Sequence, residues 1–183
     1  MPNPENSTTA QSPSAPAIPS GTYQADPARS RLSFRAKAFG LIWVRGQMPA
    51  VGGTIHVIGD RLRGAGEVAA GSISTGLPAR DGHLRTKHYL PARQHPTIQL
   101  SADDADIASG HADARVVVRG NPATVRLELD TVQASNGTLR IEAHGTIDRS
   151  PFGMLPPACG VSRHVHVQLT VVAAQAQTSG SRE

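Results

Sequence analysis

Residues 80–85, Arg80-Asp81-Gly82-His83-Leu84-Arg85, bring two guanidiniums, a carboxylate and an imidazole within six positions. A guanidinium suits phosphate because its planar fork donates two parallel hydrogen bonds. Arg80, Asp81, His83 and Arg85, joined by Arg149, are therefore candidates to hold an anionic head group. The same residue types can instead dock a helix, with Asp81 capping or pairing locally and the arginines bracing a rim, and Arg149 before Pro151-Phe152-Gly153 carries the same two readings. Metal chemistry finds little support. A zinc site needs three or four converging ligands, whereas His164 and His166 share one polar strand face opposite a valine row, and His83 and His88 stand five apart. Cys159 is the single cysteine, which excludes an intramolecular disulfide and a cysteine zinc site. The sequence holds no Gly-x-Ser-x-Gly elbow and no phosphate-cradling glycine loop. Asp103, Asp104 and Asp106 read as a solvated turn. The expectation is a protein that is not an enzyme and carries neither metal nor cofactor.

The elements that must position these residues have a period of two. Leu32, Phe34, Ala36 and Ala38 alternate with Ser33, Arg35 and Lys37. Val125, Leu127 and Leu129 alternate with Thr124, Arg126 and Glu128. Leu139, Ile141, Ala143, Gly145 and Ile147 form a third such row, and Val165, Val167, Leu169 and Val171 a fourth. Each pattern predicts a strand with one wet face. Val51-Gly52-Gly53, Ile58-Gly59-Asp60, Arg119-Gly120-Asn121-Pro122 and Ser135-Asn136-Gly137 read as turns. From Pro78 to Pro91, mixed charge between flanking prolines predicts one short helix.

The chain has 183 residues, a size for one domain, with 38% hydrophobic and only 3% aromatic residues. Six rings leave the inner face short of bulk. Its inward positions include Ala36, Ala38, Leu62, Gly64, Gly66, Val68, Ala70, Ala143 and Gly145. An eight-stranded barrel of this kind has room for one small ligand; a sandwich whose two sheets approach closely would use the same residues. No apolar run reaches the roughly 20 residues of a transmembrane helix. A net charge of +4, spread along the chain without interleaved rings, does not predict a nucleic-acid partner. Residues 1–20, rich in Pro, Ser and Thr, read as a disordered leader without the features of a secretory signal. The folded domain is expected over 21–174 with a flexible tail at 175–183, and the expected compartment is the cytoplasm.

An ordered series of motifs runs through the domain: Gly71-Ser72-Ile73-Ser74-Thr75-Gly76, Arg80-Asp81-Gly82-His83-Leu84-Arg85, Tyr89-Leu90, and His95-Pro96-Thr97-Ile98-Gln99-Leu100. Gly21-Thr22-Tyr23 before Ser33-Phe34, and Arg149-Ser150-Pro151-Phe152-Gly153, extend it. The series resembles the YceI-like family. Lys37-Ala38-Phe39-Gly40 departs from it, standing where many members place a histidine before the glycine. The resemblance implies an all-β fold, an antiparallel lipocalin-like β-barrel of about eight strands, with one short helix after the Ser-Ile-Ser-Thr strand. It further implies an isoprenoid or other long-chain lipid, such as a polyprenyl phosphate or a quinone, carried or stored in the lumen. The alternative is a stress-related or regulatory interaction protein with a closed barrel. On the barrel reading, Phe34, Ala36, Ala38, Gly64, Gly66 and Val68 line the lumen from the early strands. Ile73, Leu84, Ile98 and Leu100 do so around the helix, and Leu127, Ile141, Ala143, Phe152 and Val167 from the later chain; Phe152 also reads as core packing. Whether the chain forms a homodimer is open at this level.

Overall fold

The computed structural model describes residues 18–154 and 160–176. Most of the leader, nearly all of the tail, and Cys159 lie outside the described residues. Among the described residues nine strands form the domain: β1 (Gly21–Ala25), β2 (Arg31–Ala38), β3 (Ile42–Ile58), β4 (Arg61–Ala69), β5 (Thr97–Asp106), β6 (His111–Val118), β7 (Asn121–Ser135), β8 (Thr138–Asp148) and β9 (Val161–Gln175). Every pairing is antiparallel. From β2 the sheet runs through β9, β8, β7, β6, β5 and β4 to β3, and β3 pairs back to β2, closing an eight-stranded barrel. β1 pairs with the lower part of β3 and with the end of β9, so β1 and β2 occupy one slot of the ring in succession. Ser30 fills the break between them, where its buried hydroxyl donates to the Val172 carbonyl and accepts from the Val172 amide.

Alternation in the sequence produces the barrel directly. Successive side chains of a strand point to opposite faces, so the apolar rows of β2, β7, β8 and β9 face inward together. A register shift between Leu129 and Thr131 then moves the inward row of β7 from Leu129 to Val132 and Ala134. Val51-Gly52-Gly53 is not a turn; it lies within the 17-residue β3, where a register shift between Ala50 and Gly52 bends the strand. The other three turn signals fall between strands.

The connection from β4 to β5 carries the helix, α1 (Pro78–Leu84), which spans seven residues rather than the longer stretch to Pro91. Gly82 sits inside it, and after Arg85 the amides of Thr86 and Leu90 turn back to the carbonyls of His83 and Leu84. Ahead of α1, Ala70–Ser72 make a 3-10 turn, and Ser74 pairs with Gln47 as an isolated bridge. Two apolar clusters divide the interior. One gathers Tyr23, Val57, Leu139 and Ala173 at the chain-terminal end; the other gathers Ile73, Leu90, Phe152 and Met154 under the helix. Ile18 packs against the first, Tyr23 Oη donates to the Pro19 carbonyl at 2.8 Å, and Ser20 Oγ accepts from the Gly59 amide.

Candidate functional site

Between the two clusters the barrel leaves a cavity of about 170 Å³ with an almost wholly apolar lining. Tyr23 and Phe152, both fully buried, belong one to each cluster, and no aromatic ring borders the cavity. The walls are small. Ala105, Ala112 and Ala114 from β5 and β6, Ala143 from β8, and Gly64 and Gly66 from β4 all border the space. Nine of the residues expected to line a lumen do so: Gly64, Gly66, Val68, Ile98, Leu100, Leu127, Ile141, Ala143 and Val167.

The other six lie elsewhere. Ile73, Leu84 and Phe152 belong to the plug under the helix. Ala36 and Ala38 are buried farther up β2, beyond the cavity, where β2 and β9 shift register. Phe34 covers Gly46 instead. A side chain there would meet the Phe34 ring and would stand 2.8 Å from the Ser74 carbonyl oxygen. Ile55, Leu169 and the β6 row Ala112, Ala114 and Val116 border the cavity without having been assigned to it. The β6 residues carried a usable signal, since Ala112, Ala114 and Val116 alternate with the polar Asp113 and Arg115, although the run Val116-Val117-Val118 blurs it.

One wall is thinned to backbone. Gly53 faces Gly66 across the β3–β4 pair, and Gly52, Gly53, Ala65 and Gly66 border both the inner cavity and a groove on the outer surface. The strands coil tightly here: a Cβ on Gly53 would lie 2.8 Å from the Ala65 carbonyl oxygen and 3.0 Å from Gly66 Cα. Glycine is the residue that permits this approach.

The charged residues of the helix region are engaged with the chain around them. Buried Asp81 accepts the Thr75 amide at 2.8 Å and also the Thr75 hydroxyl. Arg80 Nε donates to Thr75 Oγ1 at 2.7 Å and its Nη2 to the Thr75 carbonyl at 2.9 Å, while Arg85 donates to the Ile73 carbonyl at 3.0 Å. Together they tie α1 to residues 73–75. His83 lies on the surface with its ring edge toward Tyr89, 5.3 Å between centroids. Arg149 is buried at the start of the β8–β9 connection, its Nε and Nη2 donating to the carbonyls of Ser162 and Val161. Burial pulls its pKa below the usual arginine value, a shift that Tyr89 and Asp148 oppose. Beside it Arg163 and Asp148 form an exposed pair. The hydrogen bond from Arg163 holds the carboxyl far below the usual carboxylate range. No group of three or more metal-ligating side chains occurs among the described residues.

The fold recurs in solved structures. BcnA of Burkholderia cenocepacia superposes with a TM-score of 0.72 at 16% identity, over 82% of this chain and 99% of that one. A polyisoprenoid binding domain from Saccharophagus degradans, implicated in plant cell wall breakdown, gives 0.66 at 16% identity, over 84% and 98%. The Campylobacter jejuni YceI protein gives 0.56 at 17% identity, over 73% and 86%. At these identities the likeness establishes the shared barrel. No curated protein matches the sequence. The YceI-like domain profile, by contrast, matches residues 23–173, which include every strand of the barrel closure and the helix between β4 and β5: the chain belongs to the YceI-like family.

Proposed function

We propose that this protein binds the chain of an apolar lipid in its barrel and works as a carrier or store without catalysing a reaction. The observation that carries the reading is the apolar cavity between the two core clusters, lined by valine, leucine and isoleucine with alanine and glycine set among them and no aromatic ring. Membership of the YceI-like family and the fold shared with a polyisoprenoid binding domain support an isoprenoid as the ligand class. Burial gains roughly 0.8 kcal/mol per CH₂, so a few isoprene units offset an association cost of about 4–15 kcal/mol. A cavity near 150 Å³ in another protein takes a ligand the size of benzene. The lumen at rest thus matches a short stretch of chain, and a longer tail requires one of the two flanking clusters to yield. Small walls discriminate by width more than by shape. Arg80, Asp81 and Arg85 are assigned to docking the helix, because each bonds to residues 73–75.

The test is native mass spectrometry on detergent-free protein, followed by titration with a quinone and a polyprenyl phosphate. A bound mass matching a lipid, or saturable uptake of either compound at one per chain, is expected. Protein that is ligand-free and takes up neither overturns the reading.

A further inference from the structure

The β2–β3 hairpin ends in apolar residues that the barrel does not cover. Leu41 is 85% exposed, Phe39 66% and Ile42 60%, with Trp43 next to them at 42%. Phe39 holds a left-handed backbone (φ 52°), a conformation that is costly for a bulky aromatic residue. The Phe39 amide donates to the Gly160 carbonyl, which holds this turn against β9 but leaves the side chains of Phe39, Leu41 and Ile42 exposed. Asparagine or glycine would make this turn without the strain or the exposed ring.

Cations surround the tip. Lys37 pairs with Trp43 across the hairpin and Arg35 with Arg45. The Arg35 guanidinium and the Lys37 ammonium lie 5.2 and 5.1 Å from the Trp43 ring centroid. Arg35 and Arg45 are like charges directly opposite on an exposed face, an arrangement that disfavours the isolated barrel. The asymmetry extends over the whole end. Its connections at residues 70–96, 119–120 and 149–154 carry Arg80, Arg85, Lys87, Arg93 and Arg119, while Arg149 and the single acid among them, Asp81, are both buried. At the opposite end Asp26, Asp60, Asp103, Asp104 and Asp106 stand with three arginines, Arg29, Arg61 and Arg63, of which Arg61 pairs with Asp104, so acids are in excess there.

We infer that the β2–β3 hairpin is a docking element for an anionic lipid bilayer, with Phe39, Leu41 and Ile42 entering the acyl boundary and Lys37, Arg35 and Arg45 facing the phosphates. The dimensions agree. At roughly 3.3 Å per residue, Lys37 and Trp43 stand about 7 Å behind Leu41, and Arg35 and Arg45 about 13 Å. An interfacial element buries its apolar face about 5–10 Å deep. Trp43 then lies at head-group level, where tryptophan is favoured. The opposite end, with its excess of aspartates, faces water. This surface needs no cargo in the lumen, so it stands or falls separately from the lipid-carrier reading.

Trp43 is the single tryptophan of the chain, so its fluorescence reports on the tip alone. The full chain is mixed with phosphatidylcholine vesicles, with and without phosphatidylglycerol and free of isoprenoid. The expected result is a blue-shifted Trp43 emission and quenching by brominated acyl chains with the anionic vesicles. Leu41→Asp should weaken binding roughly tenfold or more, and Lys37→Gln with Arg45→Gln about fivefold for each charge removed. Ile58→Asp, at an equally exposed position of the opposite end, should bind as the parent chain does. An emission unmoved by anionic vesicles overturns the inference. So does a Leu41→Asp chain that binds undiminished, or an equal loss from Ile58→Asp.

Discussion

Gly53 and Gly66 oppose each other on the inner wall of the barrel, and between them the β3 and β4 backbones approach so closely that a methyl on Gly53 would stand 2.8 Å from the Ala65 carbonyl oxygen. Neither residue can give way without moving a strand. Gly53→Ala is therefore expected to destabilise the fold by about 1–3 kcal/mol. Gly52→Ala, one position along with nothing within 4 Å of the added methyl, should be neutral or slightly stabilising. Paired denaturant melts of the two variants check this contrast.

Ala114 is buried in β6 and borders the lumen. In a filled core, enlarging it to leucine would cost about 1–3 kcal/mol. Here the added carbons enter existing space, so Ala114→Leu is expected to stay within about 1 kcal/mol of the parent while its lipid uptake falls. Chemical denaturation and a lipid titration on the same sample separate the two effects.

Much of this was legible in the sequence, and the failures have physical causes. The rows Leu139 to Ile147 and Val165 to Val171 have a period of two and both became barrel strands with the expected side inward, except that Thr170, on the side expected to be wet, is buried. Val51-Gly52-Gly53 misled because glycine pairs signal turns and tight strand coiling alike; which applies depends on what β4 does opposite. Phe34, Ala36 and Ala38 share the correct face of β2, yet alternation sets the face and not the height along the axis. Only the closure of the ring places the cavity below them. The charges in residues 80–85 were equally ambiguous. A carboxylate that accepts Thr75 and one that awaits a ligand have the same sequence.

Removal of the Asp81 carboxylate should test that docking role. Asp81→Ala leaves the half-buried Thr75 amide without its acceptor, at a cost of about 1 kcal/mol. For a chain of this size that lowers Tm by roughly 2–4 °C per kcal/mol. Lipid affinity measured well below Tm should hardly change. Differential scanning calorimetry and a binding isotherm on one preparation give both values.

His144 offers a pH signature. Its Nδ1 lies 2.8 Å from Asp130, and Glu128 lies 3.3 Å from its Nε2. The Asp130 hydrogen bond, more than the charge of either carboxylate, holds the imidazole pKa above its ordinary value of about 6.5. Because the folded pKa is the higher one, the stabilisation is full below about 6.5 and is lost as the pH rises through the folded value. The pair is half exposed, so the effect belongs at the lower end of the roughly 0–1 kcal/mol range of surface ion pairs. An NMR titration should find the raised pKa, and Asp130→Asn should lower it.

The location of the ligand is tested most directly by cross-linking. An isoprenoid alcohol with a diazirine near the end of its tail would be photolysed with the full chain, and the labelled peptides mapped. The account expects labels on lumen residues such as Ala112, Ala114, Leu127 and Ile141, suppressed by an excess of unlabelled quinone and by Ala114→Leu. Labels confined to the outer surface, or unaffected by either competitor, would contradict it.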